Sequence, residues 1–195
     1  MKTKLLLIIA AVAFLMVPAL AQKEMLTKEE TVNYLNKKAQ EAEGSYRIFE
    51  LDGKIGKTHY SNISIQLKGD QVELKFSTKT VGLNIQVYYT YLFNPANVDK
   101  IHIGDRRKDS LVTEVLIILT APTARSYTYF VRDEGGMFNY WDDKPVAGIA
   151  DVPVKNFRTV TLPFFDADPA NRSKMEKALK HLTDLAKAED DPFGN

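Results

Sequence analysis

Apolar residues recur every three or four positions at the start of the folded part of the chain. Val32, Leu35, Ala39 and Ala42 share one helical face. Thr27 followed by Glu30 is a capping box, in which hydroxyl and carboxylate each satisfy the other residue's backbone amide. Gly44 suits the left-handed conformation that ends a helix. The pattern predicts an amphipathic helix of about four turns lying on the surface of the core. Beyond Tyr46 the period falls to two. Ile63, Ile65 and Leu67 alternate with polar residues, as do Val72, Leu74 and Phe76, and residues 68–71 between them form a polar turn of hairpin length. Residues 84–93 place Ile85, Val87, Tyr89, Tyr91 and Phe93 on one side and Gln86, Tyr88 and Thr90 on the other. A short strand over 98–103 follows, with Val98 one residue off the alternation of Ile101 and Ile103. Residues 111–120 are almost wholly apolar at 115–119, the pattern of a strand buried on both faces. Further strands are predicted over 126–132, 137–141 and 154–164, with a long loop over 142–153. Asp168 caps a last helix with Pro169 in its first turn, and Met175, Ala178, Leu179, Leu182, Leu185 and Ala186 give it a wide apolar stripe.

A conservative count gives seven strands joined by hairpin-length links, which impose antiparallel pairing. The order helix, strands, helix excludes βαβ folds. The expected class is α+β: a seven-stranded antiparallel curved sheet or partial barrel, with an N-terminal helix and a C-terminal capping helix. The strands followed by Met175-Glu176-Lys177-Ala178-Leu179-Lys180-His181-Leu182 resemble the pleckstrin-homology-like architecture over about residues 60–187. The resemblance implies a partial barrel plugged by that helix. Phosphoinositide-binding members carry a run of basic residues around the first hairpin. Here that turn has only Lys68, so headgroup binding is not implied.

The first 21 residues have a different character. Lys2 and Lys4 precede an unbroken apolar run from Leu5 to Met16, and Ala19-Leu20-Ala21 follows. These are the parts of a secretory signal peptide, too short to span a bilayer. Cleavage after Ala21 would start the mature chain at Gln22. The expected organisation is a signal peptide over 1–21, a linker and helix over 22–44, one antiparallel β domain with its closing helix over 45–188, and a disordered acidic tail over 189–195. The expected location is periplasmic or extracellular. The whole chain has 26 basic and 25 acidic residues; without Lys2 and Lys4 the balance becomes 24 to 25, which offers no basic face for nucleic acid. The absence of cysteine excludes disulfides, thiol catalysis and cysteine-ligated metal. No second segment is apolar enough to cross a membrane.

Candidate chemistry is sparse. His59, His102 and His181 lack metal-ligand spacing, and no GxSxG elbow is present. Asp133-Glu134 and Asp142-Asp143 flank one short strand, which leaves a carboxylate-dependent hydrolase as a rival reading. Asp166 and Asp168 are accounted for by the cap of the last helix. Arg106-Arg107-Lys108 is the densest positive spot, read either as an anion site or as a solvated turn. Aromatic residues concentrate in three strands, and Tyr88, Tyr140 and Trp141 are expected nearer the surface. Aromatic rings with polar tips favour interfaces and carbohydrate contacts. The expected function is a non-enzymatic binding module of the cell envelope, with Tyr88, Tyr140, Trp141, Arg106 and Arg107 as its interaction surface. No cofactor or metal is expected, and the partner is an envelope protein or a small ligand. The alternative is a β-barrel carrier with a small apolar ligand in its interior.

Overall fold

The computed structural model describes residues 26–51 and 53–191, so the leader lies outside the described residues, as do most of the predicted linker and the end of the tail. Helix α1 (Lys28–Gln40) opens as predicted. Thr27 Oγ1 accepts from the Glu30 amide at 3.2 Å, and the Glu30 carboxylate accepts from the Thr27 amide at 2.8 Å. Its buried face, including Val32, Leu35 and Ala39, joins the core.

The chain then forms β1 (Tyr46–Leu51), β2 (Lys54–Lys68), β3 (Gln71–Thr80) and β4 (Ile85–Phe93). It continues through β5 (Val98–Ile103), β6 (Val112–Leu119), β7 (Ala124–Arg132), β8 (Met137–Asn139) and β9 (Pro145–Val146). Strands β10 (Val154–Phe157) and β11 (Thr159–Phe165) and helix α2 (Pro169–Asp190) complete it. The fold is α+β, and every strand pair among the described residues is antiparallel. A large sheet has the order β1-β2-β3-β4-β7, with β8 and β10 end to end along the far edge of β7 and β9 beyond β8. A small sheet has the order β11-β6-β5.

Eleven strands among the described residues replace the seven expected. One reason is a split strand: 154–164 breaks at Arg158, whose carbonyl accepts from the Leu119 amide at 2.7 Å while its Nε donates to the Leu119 carbonyl at 2.8 Å. The chain thus leaves β7 and joins β6, so one predicted strand serves two sheets. The predicted loop over 142–153 holds β9 and a 3-10 turn (Ile149–Asp151). Helix α2 runs through Asp190, with Lys28 paired to Glu189 at 2.7 Å, so the first residues assigned to a tail are helical. The off-register Val98 marks a real shift in the β5–β6 pairing. No described helix is long and apolar enough to cross a membrane.

The predicted β2–β3 hairpin closes through Gly69 at φ +65°, a left-handed position that glycine takes at no steric cost. A second irregularity matters more. Between Ser61 and Ser64, β2 bulges, and Asn62 has φ 57°. Side chains from the α1 region satisfy the freed amides: the Glu43 carboxylate accepts from Asn62 and Ile63 at 2.6 and 3.0 Å, and Asn36 Oδ1 from Ile65 at 2.8 Å.

The core lies where the two helices meet one end of the large sheet and one face of the small one. Leu35, Ile65, Val72, Leu74, Phe93, Ile117, Leu162 and Met175 are buried there, each side chain contributing about 1.5–3 kcal/mol of transfer free energy. Strand β6 was expected to be buried on both faces. Instead Val115, Ile117 and Leu119 are buried, while Glu114, Leu116 and Ile118 are half-buried on the other side. At Glu114 that second face meets a cleft.

Candidate functional site: a cleft between the sheets

The inner face of the large sheet changes character along its length. On β2 it reads Ile65 and Ile63 at the helix end, then Tyr60 and Thr58. On β3 it reads Val72, Leu74 and Phe76, then Thr78 and Thr80. On β4, Phe93 joins the core, while Tyr91, Tyr89, Val87 and Ile85 line open space. The helices cover the aliphatic end. Glu114 from β6 and Thr161 from β11 face the other end, with Arg47 from β1 at the side, and together they enclose a cavity of about 350 Å³.

Its walls are ordered by cross-strand pairs. Phe76 opposes Tyr89 in the register, and their rings stack at 4.7 Å and 19°. Thr58 opposes Thr80, with hydroxyl oxygens 3.0 Å apart. Tyr89 lies 6.4 Å from Tyr91 with nearly parallel rings, and Tyr140 tilts against it at 6.3 Å.

One charged group of each sign lines the cleft, and the two are paired. The Glu114 carboxylate accepts a hydrogen bond from Tyr60 OH at 2.7 Å and another from Arg47 Nη1. Arg47 reaches it because β1 is tied to the segment before β6: the Leu111 amide donates to the Tyr46 carbonyl at 3.1 Å, and the Ile48 amide to Ser110 Oγ at 2.8 Å. Arg47 Nε is buried with no hydrogen-bond partner among the described residues. The hydroxyls of Tyr60, Tyr89 and Tyr91 are held protonated. Burial pushes Tyr89 up to about 12, with Tyr140 nearby adding to it. Burial raises Tyr60, reinforced by the Glu114 charge, and burial first, then Tyr89, raises Tyr91. At neutral pH these groups are donors and acceptors rather than bases. Glu114 is the one carboxylate among the lining residues, so the lining lacks the paired acids that glycoside hydrolysis uses.

The expected interaction surface is dispersed. Tyr140, 42 % exposed, stands at the cleft and touches Trp141 edge-on at 5.0 Å. Trp141, 39 % exposed, stacks on Phe157 at 5.3 Å with the Lys155 ammonium 4.5 Å from its ring centre. Tyr88 is on the opposite face of the sheet, stacked on Tyr129 at 4.9 Å and 7°. Those two rings line a second hollow of about 430 Å³ with Tyr127, Leu92 and the exposed Ile149. Tyr88 and Tyr140 therefore do not share a surface. Arg106 donates to the Asp166 carbonyl at 3.0 Å, and Arg107 pairs with Glu50 at 3.3 Å; neither arginine lines either hollow.

The acidic clusters are likewise separated into ion pairs. Asp133 binds Lys79 at 2.8 Å and Asp143 binds Arg132 at 2.8 Å. Asp168 caps α2, accepting from the Ala170 amide at 2.9 Å. Asp166 does something else: it is buried and accepts from Thr113 Oγ1 at 2.9 Å and from Arg172 Nη2 at 2.8 Å, joining β6 to α2. No group of three metal-ligating side chains occurs among the described residues. His59 packs on the Tyr46 ring, and His181 Nε2 is 2.7 Å from the Leu26 carbonyl.

Arg47, Thr58, Tyr60, Thr78, Thr80 and Glu114 were not singled out from the sequence. A signal was present: the inward positions of β2 and β3 pass from aliphatic to hydroxyl-bearing residues. Reading it required knowing that those ends lie side by side. No family model matches the chain, and neither a curated protein nor a solved structure does.

Proposed function

We propose that this protein is an exported, non-enzymatic binding module that holds a small ligand in the cleft between its two sheets. The carrying observation is the cavity itself: about 350 Å³, aromatic on one wall, with threonine hydroxyls and one paired arginine and glutamate in its lining. That volume is in the range of small-molecule sites, which combine apolar walls with a few fixed polar groups. The cleft lies at the end of the large sheet away from the helices. This arrangement is compatible with a pleckstrin-homology-like reading, in which the last helix closes one end. Export rests on the leader pattern of residues 1–21.

A thermal-shift screen of a small-molecule library tests the site. A ligand at about 100 times its Kd adds about 2.7 kcal/mol to stability. For a domain of this size that corresponds to a rise of roughly 5–11 °C in Tm. Ligands found this way should lose their effect in Tyr91→Ala, which alters the cleft but not the outer hollow. Hits that survive this change and are abolished by Tyr129→Ala would move the site to the outer hollow. N-terminal sequencing of the protein recovered outside the cytoplasm should begin at Gln22; a cytoplasmic chain retaining Met1 would refute export.

A further inference from the structure

We infer that the ligand of this cleft is an uncharged, polyhydroxylated molecule of the saccharide class, an inference that rests on the binding-cleft reading above. Three independent features of the lining carry it.

The first is charge. Arg47 and Glu114 neutralise each other at the floor, so no uncompensated charge awaits an ionised ligand. A charged group entering the cleft would lose its hydration and gain no free counter-ion.

The second is the density of hydroxyls. Thr58, Thr78, Thr80 and Thr161 line the cavity together with the four tyrosines already placed there. Each hydroxyl both donates and accepts, as the hydroxyls of a sugar do. An alkyl chain filling the same space would strip water from them and return no hydrogen bond. This lining disfavours the apolar ligand expected of a barrel carrier.

The third is ring geometry. Tyr89, backed by the buried Phe76, and Tyr91 are half-buried and within 13° of parallel, so their exposed parts put aromatic surface beside the threonine hydroxyls. An amphipathic ring with axial C–H groups and equatorial hydroxyls meets both. Tyr140, partly exposed, extends the aromatic wall toward solvent.

The test is NMR of protein labelled at tyrosine and threonine, titrated with cellobiose, with N-acetylglucosamine and, separately, with the apolar probe 1-N-phenylnaphthylamine. Thr78→Val serves as the hydroxyl-deleting variant, since it keeps the β-branched side-chain geometry. The saccharides should shift Tyr89, Tyr91 and Tyr140, and Thr78→Val should weaken that binding by about tenfold, the equivalent of one lost hydrogen bond. The spectrum of the free variant reports whether its fold is intact. If only the apolar probe enters the cleft, the saccharide inference fails and the cleft reading stands. If saccharides move only Tyr88, Tyr127 and Tyr129, the assignment to this cleft is overturned. If none of the three compounds perturbs a cleft residue, the saccharide inference is again overturned. The library screen then decides the cleft reading separately.

Discussion

The Arg47–Glu114 pair is the part of the cleft whose energetics are most open to measurement. Glu114→Gln keeps the side chain's size and leaves Tyr60 an acceptor, but it removes the charge facing Arg47. Hydrogen bonds to an ionised group contribute about 1.5–3 kcal/mol, against about 1 kcal/mol for neutral pairs. Glu114 takes part in two of them. The Arg47 side chain remains 38 % exposed and that of Glu114 21 %, so water recovers part of the loss. The expected cost is about 1–2 kcal/mol. Arg47→Met instead leaves a half-buried carboxylate without its cation. Breaking a fully buried pair from one side costs about 3–5 kcal/mol, and the partial exposure here reduces that to about 2 kcal/mol. The double substitution removes both charges. It should be less damaging than the sum of the singles by about 1–2 kcal/mol, because each single leaves a group unpaired. Urea unfolding followed by the fluorescence of Trp141, the protein's single tryptophan, measures all four corners of the cycle. Additivity within about 0.5 kcal/mol would mean that the pair does not organise the cleft floor, and the argument from it would fall.

Other predictions concern the scaffold. Thr27→Ala removes the hydroxyl of the capping box and should cost about 1 kcal/mol, with little change in the cleft; a neutral result would show that the cap is redundant. Asp166→Ala strands Arg172 and Thr113 at the β6–α2 junction and should cost about 3 kcal/mol in the urea midpoint analysis, whereas a loss below about 1 kcal/mol would contradict its structural role. Gly56→Ala would place a Cβ against the far end of the half-buried Phe49 ring across the β1–β2 pair, so the ring must swing aside, and the urea midpoint should register a loss of about 1 kcal/mol. At alkaline pH the cleft tyrosines set a limit. The hydroxyls of Tyr60, Tyr89 and Tyr91 are raised on folding, Tyr89 to about 12, so the folded chain keeps protons that the unfolded one has released. Stability is therefore full below the ordinary tyrosine pKa of about 10 and declines as the pH rises from there toward 12. Urea midpoints across that window should fall, with less decline in Tyr89→Phe; a flat profile would refute the burial of these hydroxyls.

Local pattern was a sound guide wherever the physics was local. The capping box at Thr27 and Glu30, the two-residue turn at Gly69 and the wide stripe of α2 all formed as their sequence neighbours implied. The register slip at Val98 was legible too, because alternation either holds or breaks within a few residues. The misreadings came where a distant partner decided. Arg158 looked like an ordinary strand position until Leu119 offered it both a donor and an acceptor and turned the strand into a corner. Asp166 was grouped with the helix cap because Asp168 stands beside it, whereas Thr113, from a strand half a domain earlier, gave it a buried role.

The aromatic residues show the same division. Alternation established that Tyr88 and Tyr89 point to opposite faces of one strand, which follows from the two-residue period of a β-strand. It did not say which face closes over empty space. That depended on the small sheet bringing Glu114 and Thr161 across from β6 and β11, and on Arg47 being carried there by β1. The sequence alone determined the α+β class, the N-terminal caps of both helices, the β2–β3 hairpin and a leader pattern, because each follows from residues a few positions apart. Only the tertiary structure decided that the cleft exists, since a cavity is made by surfaces far apart in the chain that meet without filling the space between them.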